Sequence, residues 1–265
     1  MQLYTVREQA AADLPGTLAA IAKMGYREVE LAGLHGRTAA EVATLLREHG
    51  LSAPAAHYGL FELLNGLDEK LADLDTLGVR YLVCSFPWAP DPARLRDRPG
   101  GPGAAIFRGE LTLDEWRWNA EQIERIGEAA AGAGLRFAYH NHAMEFVDYD
   151  GTVAYDELLR LTDPERVSFE VDCAWVAAAG RDPAEQIRGM RTRARLLHVK
   201  DVDPNANEFV TVPVGKGNID WKAVFAAVDP ARLDHYFVEQ EHFTTATPLQ
   251  AVAESIDYLE QLGRG

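Results

Sequence analysis

The chain has 265 residues, the usual size of one α/β barrel and long for two small domains, so we expect a single domain over residues 1–265. Its 26 basic and 41 acidic residues give a net charge of −15, which disfavours binding to nucleic acids and anionic membranes and favours neutral or cationic partners and metal ions. Hydrophobic residues make up 47%, as in a soluble protein with a large core, and no segment reaches the roughly 18 apolar residues of a membrane helix.

The first residues predict a strand rather than a targeting segment. Leu3, Tyr4 and Val6 favour an extended conformation, and no basic stretch followed by an apolar run is present there. The two cysteines, Cys84 and Cys173, lie in apolar strand-like runs, so we expect core residues in a reducing compartment rather than a disulfide. The expected location is therefore the cytoplasm.

Strand-like and helix-like segments alternate along the whole chain. The predicted strands are 3–6, 26–31, 51–58, 81–86, a run from 137, 167–173, 196–201 and 235–241. The predicted helices are 13–24, 38–49, 67–77, a long helix from 112, 156–161, 182–190, 219–228 and 248–262. Eight strands alternating with eight helices predict parallel strands joined by right-handed crossovers, in a (β/α)8 TIM barrel. A doubly wound open sheet is the alternative, but the turn after the first strand has no glycine-rich dinucleotide loop.

Residues 87–109 form the longest segment without periodicity and are rich in Pro, Gly and Arg. A loop of this length in a compact domain is usually functional or disordered. The segment therefore predicts either an active-site lid or a disordered surface excursion.

Four of the later strands carry polar residues at positions i and i+2 near their C-terminal ends. These pairs are His140 and His142, Glu170 and Asp172, His198 and Lys200, and Glu239 and Glu241. Alternate residues of a strand share one face, so the members of each pair point the same way. The C-terminal edge is where barrel enzymes hold their active sites. Residues 136–146 (RFAYHNHAMEF) are the densest in chemically active side chains.

Gathered around one barrel mouth, these strand ends predict a metal site made of Glu145, Asp172, His198 and Glu239. Three carboxylates cannot all stay ionised at close range without a cation. Oxygen ligands with one imidazole suit Mn, Mg or Co, with Zn as a further option. Glu170 and Glu241 are alternative ligands, and Glu170 is also a candidate ion-pair partner of Lys200.

At these positions the chain resembles the metal-dependent sugar isomerases and epimerases built on xylose-isomerase-like barrels. The resemblance covers essentially the whole chain and is carried by 29–33 (VELAG), 139–142 (YHNH) with 145–146 (EF), 169–172 (FEVD), 198–201 (HVKD) and 238–240 (VEQ). It implies a TIM barrel that acts on a sugar or cyclitol, with Glu145, Asp172, His198 and Glu239 in the places of the metal ligands. Such barrels often associate, which makes a homo-oligomer a further option.

Two departures from the family pattern affect the expected site. Many relatives have a Glu within the fifth strand, where this chain has Tyr139-His140, so His140 or His142 is an alternative ligand to Glu145. Many also have a His three residues after the Asp of the sixth strand, where this chain has Trp175. That change leaves the sugar-epimerase mode of substrate binding open.

The expected chemistry is proton transfer at a carbon beside a carbonyl, through an enediolate that a divalent metal stabilises. His142, His140, Glu145 and Glu239 are candidates for the base, and Lys200 is a candidate for orienting a hydroxyl or stabilising an oxyanion. Returning the proton to another carbon gives isomerisation, and returning it to the opposite face gives epimerisation. Expelling a β-hydroxyl gives dehydration, as in the inosose dehydratases that this region also resembles.

Substrate contacts are expected from aromatic and polar residues around the mouth. Trp175 and Trp88 offer aromatic surfaces for a sugar ring, and His57 and Glu30 are expected to complete the pocket. No arginine cluster or glycine-rich phosphate loop is evident, apart from 215–217 (GKG), which predicts a turn. Whether the substrate is phosphorylated therefore stays open.

Two further functions compete with the sugar isomerase or epimerase. The family includes apurinic-site endonucleases, but that zinc chemistry needs more histidine ligands than the predicted mouth offers, and the charge of −15 opposes DNA binding. A barrel that binds a carbohydrate without turnover is the other option. A metal-free, inactive protein that still binds sugar would support this option over an enzyme.

Overall fold

A computed structural model of the chain describes residues 1–244 and 246–264, which form a nearly closed barrel of seven parallel strands surrounded by helices. The strands are β1 (Glu28–Leu31), β2 (Ser52–Gly59), β3 (Tyr81–Phe86), β4 (Arg136–His140), β5 (Val167–Asp172), β6 (Ala194–Val199) and β7 (His235–Val238). Neighbours along the chain are neighbours in the sheet, and every pair is parallel. The predicted barrel architecture is confirmed.

The N-terminal residues close the gap between β1 and β7. The Glu30 backbone N–H donates to the Met1 carbonyl at 2.8 Å, and the Gln2 N–H donates to the Val238 carbonyl at 2.9 Å. The prediction of a first strand at 3–6 is wrong, because Leu3–Val6 forms a 3₁₀ helix capped by the Gln2 side chain. Only the bridge at Gln2 takes the place of the eighth strand.

Helices cover the outside of the barrel. They are α1 (Arg7–Ala12), α2 (Leu14–Lys23), α3 (Ala39–Glu48), α4 (Leu60–Leu77), α5 (Gly101–Phe107), α6 (Leu113–Gly132), α7 (Ala154–Leu161), α8 (Cys173–Ala178), α9 (Pro183–Met190), α10 (Trp221–Ala227) and α11 (Pro248–Gln261). Capping boxes at Thr38, Thr112 and Thr247 fix the starts of α3, α6 and α11 by pairing orphan N–H groups. The predicted helices are present, and apart from the start of α4 their ends lie within a few residues of the prediction.

Helices α1 and α8 were not predicted, and α4 and the segment 87–109 also differ from the sequence prediction. Helix α4 begins at Leu60 rather than at residue 67, with non-helical backbone angles at Gly66. Residues 87–109 are not a plain loop, since they contain a 3₁₀ helix at Pro92–Leu95 and the short helix α5. The last residue of α5, Phe107, reaches the cavity described below.

The barrel interior is built in layers that follow the two-residue period of the strands. Its apolar layer contains Ala55, Tyr81, Val83, Ala138, Leu196 and Phe237. Two residues further along the same strands or just beyond their ends stand His57, His140, His198 and Glu239. A step of two more residues reaches His142, Lys200 and Glu241. The two-residue period of the strands therefore places these polar side chains above the apolar layer, at the C-terminal end of the barrel.

The two cysteines are free and fully buried, as the sequence predicted. Within residues 1–244 and 246–264, no helix combines the length and apolar character needed to cross a membrane.

Candidate metal centre and active-site cavity

A cavity of about 540 Å³ opens at the C-terminal ends of the barrel strands. It is lined by Tyr4, Ala32, Gly33, His57, Tyr58, Gly59, Glu62, Ser85, Phe86, Phe107, His140, His142, Trp175, Glu239 and Glu241. Its size falls within the range of small-molecule pockets, roughly 300–1,000 Å³. The polar layers of the barrel form its floor.

His198 stands at the centre of the floor with a carboxylate on each ring nitrogen. Its Nε2 lies 2.6 Å from Glu30 Oε2 and 3.2 Å from Glu170 Oε2, and its Nδ1 lies 2.9 Å from Glu239 Oε2. The ring is fully buried. Burial opposes the charged imidazolium, but the neighbouring Glu170, Glu30 and Glu239 raise the pKa of His198 well above its ordinary value. The site thus favours positive charge at this position.

Asp172, His198 and Glu239 come together as the sequence predicted, and we call them the oxygen-rich group. Each offers a ligand atom, and these atoms all lie within 4.8 Å of one another. All three residues are buried, at the C-terminal ends of β5, β6 and β7. The group therefore offers two carboxylates and one imidazole that could bind the same metal ion.

Glu145, the fourth predicted ligand, is not part of the oxygen-rich group or of any other group of converging ligand atoms in the described residues. It lies in the 3₁₀ turn Met144–Phe146, which follows β4 and folds its carboxylate back towards that strand. Its Oε1 accepts from the Tyr139 hydroxyl at 2.8 Å, and its Oε2 accepts from the His142 N–H at 2.8 Å. Both oxygens thus stabilise the turn that positions His142.

Replacing Glu145 with Gln should change the pH dependence of folding stability. Burial raises the pKa of the Glu145 carboxyl to about 7, against the opposing hydrogen bonds from Tyr139 and His142. A carboxyl whose pKa is raised on folding contributes stability below its unfolded pKa of 4.5 and loses it as the pH rises through 7. The stability of the wild type relative to Glu145→Gln should therefore fall by about 3 kcal/mol between pH 4.5 and pH 8.

Urea unfolding with EDTA at a series of pH values measures this difference. The control is Glu121→Gln, which removes an exposed carboxyl from α6 and should leave the pH profile of the wild type unchanged. Parallel profiles for the wild type and Glu145→Gln would contradict a neutral buried carboxyl.

A second group of converging side chains contains His57, His140, Glu170 and His198, and we call it the imidazole-rich group. The Oε2 atom of Glu170 lies 2.7 Å from His57 Nε2, 3.0 Å from His140 Nδ1 and 3.2 Å from His198 Nε2. Glu170 therefore faces three imidazoles rather than Lys200, its alternative predicted partner. The structure thus brings together more histidines than the predicted ligand set, which contained His198 with His140 or His142 as alternatives to Glu145.

Burial and the charges of neighbouring side chains raise the pKa values of Glu170 and His57 in this group and lower the pKa of the adjacent Glu30. Burial and the neighbouring Glu30 raise the pKa of Glu170 to about 7. Burial lowers the pKa of His57, but Glu30 and Glu170 outweigh it and raise that pKa to about 9. Burial raises the pKa of Glu30, but His57 and His198 bring it down to about 2. Shifts of this size from burial combined with specific charge partners are common at functional sites.

Lys200 places an ammonium group against the oxygen-rich group. Its Nζ lies 2.9 Å from Asp172 Oδ2, 2.7 Å from Glu239 Oε2 and 2.7 Å from Glu241 Oε1, and the side chain is fully buried. Burial opposes the charge, but the three carboxylates raise the pKa of Lys200 well above its ordinary value. Lys200 therefore neutralises part of the negative charge of the floor.

The remaining negative charge fits a divalent cation. Five buried or half-buried carboxylates belong to the two groups or lie next to them, and we call them the floor carboxylates: Glu30, Glu170, Asp172, Glu239 and Glu241. Lys200 is the single Lys or Arg that pairs with them in the described residues. The Oε1 atoms of Glu30 and Glu170 are buried without a hydrogen-bond partner. Carboxylates and imidazoles in this mixture can hold Mn²⁺, Co²⁺ or Zn²⁺.

His142 faces the cavity beside three aromatic rings. Its ring centroid lies 6.0 Å from Phe86, 5.6 Å from Phe107 and 5.5 Å from Trp175. Its Nδ1 is buried and has no hydrogen-bond partner. Burial, reinforced by the charge of Lys200, lowers the pKa of His142 to about 3, so the imidazole is neutral at neutral pH.

The residues predicted to bind substrate divide into two pairs. His57 and Trp175 line the cavity. Trp88 and Glu30 are absent from its lining: Trp88 packs on Phe61 with 5.1 Å between ring centroids, and Glu30 lies beneath His198. Sequence reasoning missed Phe107, because an aromatic residue in a segment without periodicity carries no signal that it points to a cavity.

Known proteins resemble this chain over most of its length. The family model of the xylose isomerase-like TIM barrels matches residues 18–262. The inosose dehydratase of Lacticaseibacillus casei is 28% identical over 168 residues, which cover 57% of this chain and 55% of that protein. The inosose dehydratase of Geobacillus kaustophilus (strain HTA426) is 27% identical over 252 residues, covering 81% and 78%. The chain thus spans about half the length of the first relative and about three quarters of the second.

Solved structures share the fold at lower sequence identity. A sugar phosphate isomerase/epimerase from Parabacteroides distasonis ATCC 8503 has a TM-score of 0.78 and 20% identity, covering 98% of this chain and 96% of its own. The IOLI protein with a bound zinc atom has a TM-score of 0.71 and 16% identity, with coverage of 98% and 96%. At these identities the likeness establishes the barrel fold.

Proposed function

The chain belongs to the xylose isomerase-like TIM barrel family, and on that premise we propose that it is a divalent-metal-dependent isomerase or epimerase of a keto-sugar or cyclitol. The proposed reaction moves a proton at a carbon beside a carbonyl. The observation that carries the proposal is the convergence of Asp172, His198 and Glu239 on the floor of a cavity at the C-terminal end of the barrel. The zinc atom of the IOLI protein and the isomerase/epimerase from Parabacteroides distasonis support it.

The metal would be held by Asp172, His198 and Glu239, with the imidazole-rich group as the neighbouring set of donors. A bound dication would polarise the carbonyl and lower the pKa of the adjacent C–H group. Lys200 touches two of the three ligands, so its ammonium must shift towards Glu241 or the substrate when the ion binds. In that position it can donate hydrogen bonds to a substrate oxygen that gains negative charge.

His142 is the proposed proton acceptor. Its Nδ1 is unpaired, whereas His140 Nδ1 is engaged by Glu170, and Glu239 Oε2 is engaged by His198 and Lys200. The neutral ring takes the proton from carbon, and the electron pair of the broken C–H bond moves towards the carbonyl oxygen. Return of the proton to the neighbouring carbon completes isomerisation, and return to the opposite face completes epimerisation.

A dehydratase is the second candidate function, because the curated relatives at 27–28% identity are inosose dehydratases. The first proton transfer is the same. The β-hydroxyl then leaves with a proton as water, which needs a protonated group beside it. His57 lines the cavity, and its pKa of about 9 keeps it protonated at neutral pH, so it is suited to that role.

Exchange of substrate hydrogen with solvent deuterium tests the proposed function. The protein is incubated in D₂O with Mn²⁺ and a panel of ketoses, inososes and 3-keto-glycosides, and the products are identified by NMR and mass spectrometry. We expect deuterium at a carbon beside the carbonyl of at least one class, and no incorporation after EDTA treatment. Recovery of an unsaturated product with loss of water would select the dehydratase. Absence of exchange with every substrate and metal would contradict both functions.

A further inference from the structure

The cavity has a polar floor, and Tyr4 and Phe107 place exposed aromatic rings in its lining. The exposed Phe61 packs on the half-buried Trp88 next to the cavity residues Gly59 and Glu62, and we call these four side chains the aromatic rim. Resting on the proposed function, we propose that the substrate is an uncharged keto-glycoside whose apolar aglycone packs on this rim, rather than a sugar phosphate. Phe107 is then the residue that determines the preference for the aglycone.

The charges of the cavity disfavour an anionic substrate. Its charged lining residues are Glu62, Glu239 and Glu241, joined by histidines, and no Lys or Arg is among them in the described part of the chain. Lys200, beside this lining, is fully buried and held by three carboxylates. A phosphate group would therefore meet the carboxylates of this lining and gain none of the ammonium or guanidinium contacts on which phosphate recognition relies.

Four arginines line a depression at the other end of the barrel. This depression of about 240 Å³ at the N-terminal ends of β4, β5 and β6 is lined by Arg136, Arg166, Arg195 and Arg232. Phosphate recognition relies on such guanidinium groups or on lysines and helix N-termini. At the mouth, the one candidate turn of this kind carries Lys216, which is exposed and paired with Glu254.

The rim exposes large aromatic side chains next to the floor. Phe61 is 52% exposed, Phe107 46% and Tyr4 45%, and they account for three of the five exposed large hydrophobic residues of the described chain. Tyr4 and Phe107 line the cavity, and Phe61 packs on Trp88 at the start of α4, next to the cavity residues Gly59 and Glu62. Exposed apolar surface concentrated at one place marks a binding site.

Phe107 connects the rim to the reacting groups. Its ring contacts His142 edge-on at 5.6 Å and Trp175 edge-on at 5.5 Å between centroids. Trp175 is itself stacked on Phe209 at 3.7 Å, which holds that wall in place. A sugar positioned over His142 therefore has its substituent within reach of the Phe107 ring, where aromatic contacts add to the affinity.

Isothermal titration of the Mn²⁺-loaded protein with methyl and phenyl glycosides of glucose and galactose, which lack the carbonyl and serve as unreactive analogues, and with glucose 6-phosphate, tests the inference. We expect at least one phenyl glycoside to bind about tenfold or more tightly than its methyl counterpart, and glucose 6-phosphate to bind no more tightly than methyl glucoside. Phe107→Ala should reduce the phenyl preference to about threefold or less. The control Leu161→Ala removes an exposed apolar side chain from α7, outside the rim, and should leave the preference unchanged.

Three results would overturn the inference: no phenyl preference or no phenyl-glycoside binding, tighter binding of glucose 6-phosphate, or an unchanged preference in Phe107→Ala. Light scattering on the same samples identifies the competing occupant. A dimer that dissociates in Phe107→Ala, with the phenyl preference unchanged, would assign the rim to a second copy of the chain. Failure of the proposed function is distinct, because phenyl-selective binding without solvent exchange would remove the enzyme and keep the glycoside site.

Discussion

Replacing His198 with Ala should abolish stoichiometric metal binding and reduce solvent exchange by on the order of 1000-fold or more. His198 is the residue that both ligand groups share, with Nε2 towards Glu30 and Glu170 and Nδ1 towards Glu239 and Asp172. Its removal leaves neither group with a complete set of donors. It also brings the carboxylates on its two sides into unscreened repulsion.

Elemental analysis after dialysis and the rate of deuterium incorporation measure these two effects. The matched control is His235→Ala, because His235 is also a barrel-strand histidine paired with a glutamate, Glu28, but lies at the N-terminal end. This control should keep both the metal and the rate. A His198→Ala protein that retains one equivalent of metal, or that exchanges at the wild-type rate, would refute the assignment of His198.

Replacing Lys200 with Met should destabilise the metal-free protein by about 3–5 kcal/mol, because it leaves a buried ion cluster without its cation. Asp172, Glu239 and Glu241 then face one another with no ammonium group between them. A divalent cation can take over the neutralisation. We therefore expect added Mn²⁺ to restore most of the lost stability and to stabilise the variant more than the wild type.

Denaturant unfolding with EDTA and with Mn²⁺ measures both parts of this prediction. Lys216→Met is the matched control, since Lys216 forms an exposed pair with Glu254, and its loss should change stability by about 1 kcal/mol or less. If Lys200→Met were equally unstable with and without metal, the three carboxylates would not share a site with the ion.

The strand period explains why part of the site was predictable. Pairs of polar residues two positions apart near the ends of four strands predicted that Asp172, His198 and Glu239 meet at one mouth, and the structure brings them together. The same rule applies to His57, two residues beyond the interior Ala55 on β2. Its neighbour Glu30 on β1 was predicted only as part of the pocket, because one isolated carboxylate on a short strand does not reveal its partners.

Other features depend on tertiary contacts that local sequence does not encode. Glu145 follows β4 by five residues, and only the 3₁₀ turn decides that its carboxylate folds back to Tyr139. Leu3, Tyr4 and Val6 have strand-like composition, yet Gln2 already makes the bridge that nearly closes the barrel, so the chain turns into a 3₁₀ helix there. Phe107 depends on how a glycine-rich segment crosses the mouth, which periodicity does not encode.

Anomalous diffraction from crystals grown with Mn²⁺ or Zn²⁺ tests most directly whether the buried carboxylates and imidazoles around His198 bind a divalent ion. We expect an anomalous peak within about 2.6 Å of His198 and of at least two of the floor carboxylates or neighbouring histidines, with Lys200 Nζ moved away from Asp172. Data that show no peak, with Lys200 still bound to Asp172 and Glu239 at saturating metal, would contradict it.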